Sequence, residues 1–273
     1  MKRLAFLGPR GTFTEQAALL HEGSAELTPY PSNGSIVFAV RDGLADEGIA
    51  PIENSLEGPV TETLDALLQS ETVSVSREIV LAVEQCLIAA PGTRLQDIEV
   101  VMSHPQALGQ CRHFLETTLP AARLEAALST AGAVETAVAT KGAAAIGTRR
   151  AAELVGGEVL AAAVQDVKQN KTRFVVLSRQ DAGPTGDDKT SIAFTVAHDQ
   201  PGTLMGVLAE LSKRGINLTH IESRPSREEL GIYVFLIDFQ GHRSDPVVAD
   251  ALEAIRSQAY YFRLFGSYPR FSA

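Results

Sequence analysis

Through about residue 178 the chain repeats one order of segments: a short apolar run, a loop carrying Gly, Ser, Thr, Asn or Gln, then a stretch of helical character. This alternation predicts an α/β architecture with a parallel sheet, because a parallel partner strand is reached only through a crossover, usually a helix. The first unit reads as a strand over residues 2–7, a tight loop Gly8-Pro9-Arg10-Gly11 and a helix over 14–20 capped by Thr14. The glycines do not complete a Gly-x-Gly-x-x-Gly fingerprint and no Walker lysine follows, so the amides at this helix start suit an anion rather than a nucleotide.

The theme recurs. Ser35 is expected to cap a helix over 36–41, a strand over 48–52 to end in Glu53-Asn54-Ser55, and 60–68 to be helical. One or two strands fall within 76–89, and another over 99–102 runs into Ser103-His104-Pro105-Gln106. Pro105 opens a helix reaching about residue 117, on which Gln106 and Gln110 share a face. A strand over 124–127, a helix over 132–140 behind Ser129-Thr130, a strand over 143–146 and a helix over 149–155 follow. The apolar run Phe174-Val175-Val176-Leu177 reads as a buried strand, so Thr172, Arg173 and Phe174 are delivered from a loop into a rigid strand end. Ligands of open α/β sheets collect at such ends.

Residues 181–188, rich in Gly, Asp and Pro, have linker composition and divide a domain over 1–180 from one over 189–273. The second domain reads as strand 190–196, helix 202–214, strands 216–223 and 231–239, helix 245–258 and strand 261–266. That βαββαβ order is the ferredoxin-like arrangement. A formal net charge of −9 argues against nucleic-acid binding, which needs clustered Lys and Arg. The apolar run after Met1-Lys2-Arg3 stops at Gly8-Pro9, too early for a signal peptide, and no stretch is long enough to span a membrane. Cys86 and Cys111 are isolated from any His cluster, so neither metal nor disulfide is expected and the protein is placed in the cytoplasm with reduced thiols. The polar loops hold no catalytic triad and no paired carboxylates, a profile that fits a binding protein or an enzyme whose substrate supplies most of the driving force.

Taken in order, the Gly8 to Thr14 opening, Pro51-Ile52-Glu53-Asn54-Ser55, Ser103-His104-Pro105-Gln106 with Gln110, Ser129-Thr130-Ala131 and Asn170-Lys171-Thr172-Arg173-Phe174 resemble prephenate dehydratase. Pro201-Gly202-Thr203-Leu204, Gly215-Ile216-Asn217-Leu218 and Glu222-Ser223-Arg224-Pro225 resemble the ACT regulatory domain that follows the catalytic part in that family. The resemblance implies two α/β subdomains arranged like a periplasmic binding protein, conversion of prephenate to phenylpyruvate in the cleft between them, and no cofactor. It implies Asn54, Ser103, Gln110 and Thr172 as catalytic residues, with Gly11, Thr12, Phe13, Glu53, Ser55, Ser129, Thr130, Arg173 and Phe174 around the substrate. Gly202, Thr203, Leu204, Asn217, Leu218, Glu222 and Ser223 are then expected to hold L-phenylalanine as allosteric inhibitor between two ACT domains of a homodimer or homotetramer. Thr14 and Thr203 depart from the usual serine and alanine of the family motifs. No chorismate mutase segment is read ahead of the first strand, so the monofunctional form is expected. Arogenate dehydratase and a non-catalytic amino-acid sensor stand as alternatives.

Chemistry adds one constraint. The ring carboxylate of prephenate loses its charge in the transition state while the pyruvyl carboxylate keeps it, so a cationic clamp helps only at the pyruvyl end. Arg173, where it touches substrate, is expected there. Strand alternation offers a different reading, with Thr172 and Phe174 on one face and Arg173 on the other as a structural tether.

Overall fold

The computed structural model describes residues 1–196, 201–226 and 232–271. The first lobe runs β1 (Arg3–Leu7), α1 (Phe13–His21), β2 (Glu26–Tyr30), α2 (Asn33–Arg41), β3 (Glu47–Asn54), β4 (Gly58–Pro59), α3 (Thr61–Leu68) and β5 (Ser74–Ala82). The second lobe holds β6 (Cys86–Ala89), β7 (Val100–Ser103), α4 (Pro105–Gln110), α5 (Arg112–Thr118), β8 (Arg123–Ala126), α6 (Thr130–Ala139), β9 (Ala143–Gly147), α7 (Arg149–Val155) and β10 (Glu158–Ala161). The chain then returns to the first sheet as β11 (Lys171–Ser178). The C-terminal unit is β12 (Asp188–Val196), α8 (Thr203–Ser212), β13 (Leu218–Pro225), β14 (Tyr233–Gln240), α9 (Pro246–Gln258) and β15 (Ala259–Pro269). Gly231, the expected start of its third strand, lies outside the described residues.

The first sheet has the order β2-β1-β3-β11-β5 and the second β10-β6-β9-β7-β8. Neither is purely parallel as the segment order suggests. β1 pairs parallel with β2 and β3, but β11 pairs antiparallel with both β3 and β5. The reason is topological: β3 and β5 end where the lobes meet, and β11 begins there, with Thr172 opposite Asn54 and Lys171 opposite Ala82. A strand returning from the second lobe must run away from the junction, and so against its neighbours.

Alternation along β11 sorts its side chains. Phe174 and Val176 join Leu4, Phe6, Ile49, Ala17 and Ala18 in the core under α1. Val175 and Leu177 face the other way, toward α2 and α3, into a core that continues into the C-terminal sheet through Ala193, Val234, Leu236, Phe265 and Tyr268. The C-terminal unit is therefore packed on the first lobe. Arg224 of β13, buried, pairs with Asp65 of α3, and the Arg263 guanidinium donates to the Val73 carbonyl at 3.0 Å.

Sequence patterns miss the edges. β2 and β10 were not expected because their side chains are mostly exposed or half-buried and show no clean alternation. The helix opened by Pro105 stops at Gln110, and a second begins after Cys111, whose φ of −115° and ψ of 18° break the helical run. Caps also move: Thr12, rather than Thr14, caps α1, and Ser32 caps α2 in a capping box with Ser35.

At Gly266 of β15 the φ is +147°, and an added Cβ would lie 2.3 Å from the Val75 carbonyl oxygen of β5. Gly266→Ala is expected to destabilise the protein by about 1–3 kcal/mol through overpacking, read as a lower urea midpoint. An unchanged midpoint would show that the two sheets are not pressed together there.

Candidate active site

Two segments join the lobes, residues 83–85 and 162–170, and they bond to each other: Val83 N–H donates to the Asn170 carbonyl at 2.9 Å, and Val164 N–H to the Gln85 carbonyl at 2.9 Å. Beside this pair lies a cleft of about 440 Å³. The first lobe lines it with Thr12, Phe13, Thr14, Asn54, Thr172 and Phe174, the second with His104, Gln106, Gln110, Ser129 and Thr130. Gln85 and Asn170 of the connecting segments complete the wall.

Asn54 fixes the orientation of Thr172. The Asn54 Oδ1 accepts from the backbone N–H groups of Leu56 at 3.0 Å and Glu57 at 3.1 Å, a turn that leaves the amide nitrogen pointing the other way. That nitrogen donates to Thr172 Oγ1 at 2.8 Å and to Asn170 Oδ1 at 2.9 Å. With its oxygen already accepting, the Thr172 hydroxyl has its proton available to the cleft, and no acceptor for it is found among the described residues. Asn170 is buried and bridges the lobes: it accepts from Asn54 and from the Ser55 hydroxyl at 3.3 Å, and its amide reaches Gln110 Oε1 at 3.4 Å. Ser55 also accepts from Lys171 N–H at 2.9 Å, locking the loop to the start of β11.

Among the described residues, no Lys or Arg lines the cleft. Two helices in different lobes start at it: α1, where Thr12 accepts from Glu15 N–H, and α6, where Ser129 accepts from Gly132 N–H. Such ends carry about half a positive charge each. At the back, Thr148 donates to the Gly11 carbonyl at 2.5 Å across the lobes, and the buried Glu15 accepts from Gly11 N–H at 2.6 Å.

Some expected residues lie elsewhere. Ser103 is fully buried, and its hydroxyl donates to the Ile146 carbonyl at 2.7 Å, tying β7 to β9 rather than facing the cleft. Gly11 shapes the loop with a φ of +87° and sits against Ala131 and Ala151. Arg173 and Glu53 pair with each other at 3.1 Å on the face of β11 and β3 opposite Thr172. The Arg173 guanidinium also meets Asp238 of β14 at 2.8 Å and Glu78 at 3.5 Å, so it is a tether to the C-terminal sheet, and the pyruvyl-clamp expectation is corrected. Burial works to lower the Arg173 pKa, but Asp238, Tyr268, Glu53 and Glu78 together hold it above its ordinary value. Burial raises the pKa of Glu222, on β13, against the nearby His220 and Arg224. Gly202 to Leu204 lie at the start of the ten-residue α8, about 15 Å long by helix rise, and Asn217 and Leu218 follow its other end. Glu222 is half-buried and Ser223 exposed on β13, which runs back from that far end.

The cleft also uses Asn170, Gln106 and Gln85, none of which is among the site residues the sequence points to. Asn170 directly precedes β11 within the motif that carries Thr172, which is the one signal that points to it.

A two-lobed α/β cleft of amides and hydroxyls, joined to a ferredoxin-like unit, defines the class: a small-molecule cleft protein with an attached regulatory fold. The family model of prephenate dehydratase matches residues 4–182 and that of the ACT domain residues 190–257, and the chain belongs to the prephenate dehydratase family. It is 41% identical to the bifunctional chorismate mutase/prephenate dehydratase of Aquifex aeolicus, over 98% of this chain and 74% of that protein. It is equally 41% identical to the prephenate dehydratase of Mycobacterium sp. strain JLS, over 98% of this chain and 89% of that one. Among solved structures, prephenate dehydratase in complex with L-Phe from Arthrobacter aurescens superposes with a TM-score of 0.90 at 38% identity, covering 98% of this chain and 90% of that one. A structure described as GqqA, a novel type of quorum quenching acylase, superposes at 0.89 with 30% identity, covering 99% and 98%.

The two cysteines flank the site in sequence, Cys86 after Gln85 and Cys111 after Gln110, yet both are buried and unpaired. Burial raises the Cys86 thiol and pushes Cys111 up to about 12. A thiol reagent at pH 7 is therefore expected to find no reactive cysteine in the folded protein and both in guanidinium chloride. Rapid labelling of either in the native state would contradict the burial.

Proposed function

We propose that the cleft converts prephenate to phenylpyruvate, a carbon–oxygen lyase reaction, with Thr172 donating a hydrogen bond to the departing ring hydroxyl. The observation behind this reading is the Asn54 to Thr172 bond of 2.8 Å, which commits the threonine oxygen as acceptor and leaves its proton for the ligand. As the ring carboxylate leaves as carbon dioxide, its bonding electrons enter the ring, and the C–O bond breaks to release the hydroxyl, which takes up a proton from solvent and leaves as water. Aromatisation supplies the drive, so the protein needs only to orient the substrate and stabilise charge gathering on the leaving oxygen. A threonine is a weak acid, and it acts here as a fixed donor more than as an early proton source.

The starts of α1 and α6 suit the carboxylates. Their partial charges are diffuse, so they hold an anion without the tight ion pair that would resist loss of the ring carboxylate. Gln110 and Asn170, linked across the lobes, orient the middle of the substrate. No observation favours arogenate over prephenate, and both compounds can be compared in one assay.

L-Phenylalanine is the proposed effector, held between two copies of the C-terminal unit in a homodimer or homotetramer. Within one chain Gly202 lies at the start of α8 and Asn217 beyond its other end. The same class of unit occurs in the Arthrobacter aurescens relative solved with L-Phe.

Thr172→Val is expected to lower kcat for phenylpyruvate formation by about 10²- to 10⁴-fold with KM little changed, while Thr172→Ser keeps most of the rate. A folded valine variant as fast as the parent would remove the proposed role. Isothermal titration is expected to show L-phenylalanine binding to the full chain, and a flat titration would remove the effector.

A further inference from the structure

Thr172 and Arg173 are neighbours on β11 with opposite outlooks, one to the cleft and one to the C-terminal sheet. Their ladder partners on β3 are Asn54 and Glu53, so the hydroxyl and its orienting amide lie directly against a charged pair. Beyond Arg173 the β11–β3 register shifts, with Phe174 opposite Pro51, while the pairing of the same residues with β5 runs on without a break, so the irregular step lies on the β3 side alone.

On the far side, the Arg173 contact is Asp238, at 2.8 Å. Asp238 is shared among three strands of the C-terminal sheet. Its Oδ1 accepts from the Ser191 hydroxyl of β12 at 2.6 Å, which leaves Tyr268 of β15 to donate to Ser191, also at 2.6 Å. Its ladder partner on β13 is His220, two residues beyond Leu218, and the β13–β14 register shifts between those two positions. Any change at the start of β13 therefore reaches Asp238 through one irregular step of a ladder, and Asp238 reaches Thr172 through one side chain.

Resting on the roles proposed above for Thr172 and for the C-terminal unit, we infer that Arg173 is a positioning residue that sets the Thr172 hydroxyl through its bond to Asp238 and thereby carries the state of the regulatory sheet to the cleft. Arg173 touches no substrate. It acts by holding the first residues of β11 in register with Glu53 and Asn54, and a shift of β14 pulls on that register. The buried pair has two discrete states, bonded or broken, rather than a continuous range.

The test uses the full chain with Asp238→Asn and, as a gentler change that keeps every charge, Ser191→Ala. Asp238→Asn is expected to lower kcat for phenylpyruvate formation by about 3- to 30-fold with KM for prephenate near the parent value, and to weaken inhibition by L-phenylalanine by a similar factor while the amino acid still binds in calorimetry. Ser191→Ala is expected to move kcat and inhibition in the same direction by less. The double variant Asp238→Asn/Arg173→Gln is expected to lose no more rate than the worse single one, the mark of groups that act together. A merely structural pair would lower the denaturation midpoint and leave kcat and inhibition of the folded protein at parent values in both single variants, which would overturn the inference. Lost rate with inhibition fully kept would overturn the link to the regulatory sheet. A parent that forms no phenylpyruvate would sink the underlying reading and this inference with it. A parent that forms it but does not bind L-phenylalanine would sink the effector alone, and kcat of Asp238→Asn would still decide the positioning role.

Discussion

Strand β11 enters the first sheet only after the chain has built the whole second lobe. Until Lys171 comes back, β3 and β5 have no common neighbour, and the cleft lacks the wall that carries Thr172. The antiparallel insertion places the start of β11 beside the end of β3, and that one pairing juxtaposes Thr172 with Asn54. The cleft's chemistry depends on this register. A slip of one residue would turn Thr172 toward the C-terminal sheet and Arg173 into the cleft.

The same strand explains how a charge cluster comes to be buried so near a site whose described lining holds no Lys or Arg. Arg173 and Lys189 face Glu53, Glu78 and Asp238, so the carboxylates outnumber the cations by one, and His220 lies 3.7 Å from Glu53. Removing either cation would leave carboxylates buried without a counter-charge, a far larger cost than breaking a surface pair. The cluster thus specifies how the C-terminal sheet seats on the first lobe. The apolar core shared by α2, α3 and that sheet supplies the bulk of the contact.

Much of this was legible in the residues. The ladder of apolar runs and polar loops located the main strands, and the motifs around Asn54, Gln110, Ser129 and Thr172 led to side chains that do line one cleft. Alternation on β11 offered the tether reading of Arg173, which the fold adopts, but it could not supply Asp238, which lies 65 residues away in sequence. Ser103 misled because a hydroxyl at a strand end reads alike whether it points to a ligand or to the next strand's carbonyl. The direction of β11 was hidden for a related reason: strand–helix order says how a chain crosses between neighbours, not from which lobe it returns. Edge strands β2 and β10 were invisible because burial, the source of alternation, is missing there.

The two connecting segments, hydrogen-bonded side by side, are the lobes' covalent bridge, and the C-terminal unit is seated on one bank of it. In any swing of the lobes, the smaller second lobe is the arm, while the first lobe and the C-terminal sheet form a single anvil. A protein severed after residue 182 would bare the apolar flank around Ile52, Leu64 and Val75 that the C-terminal sheet now covers.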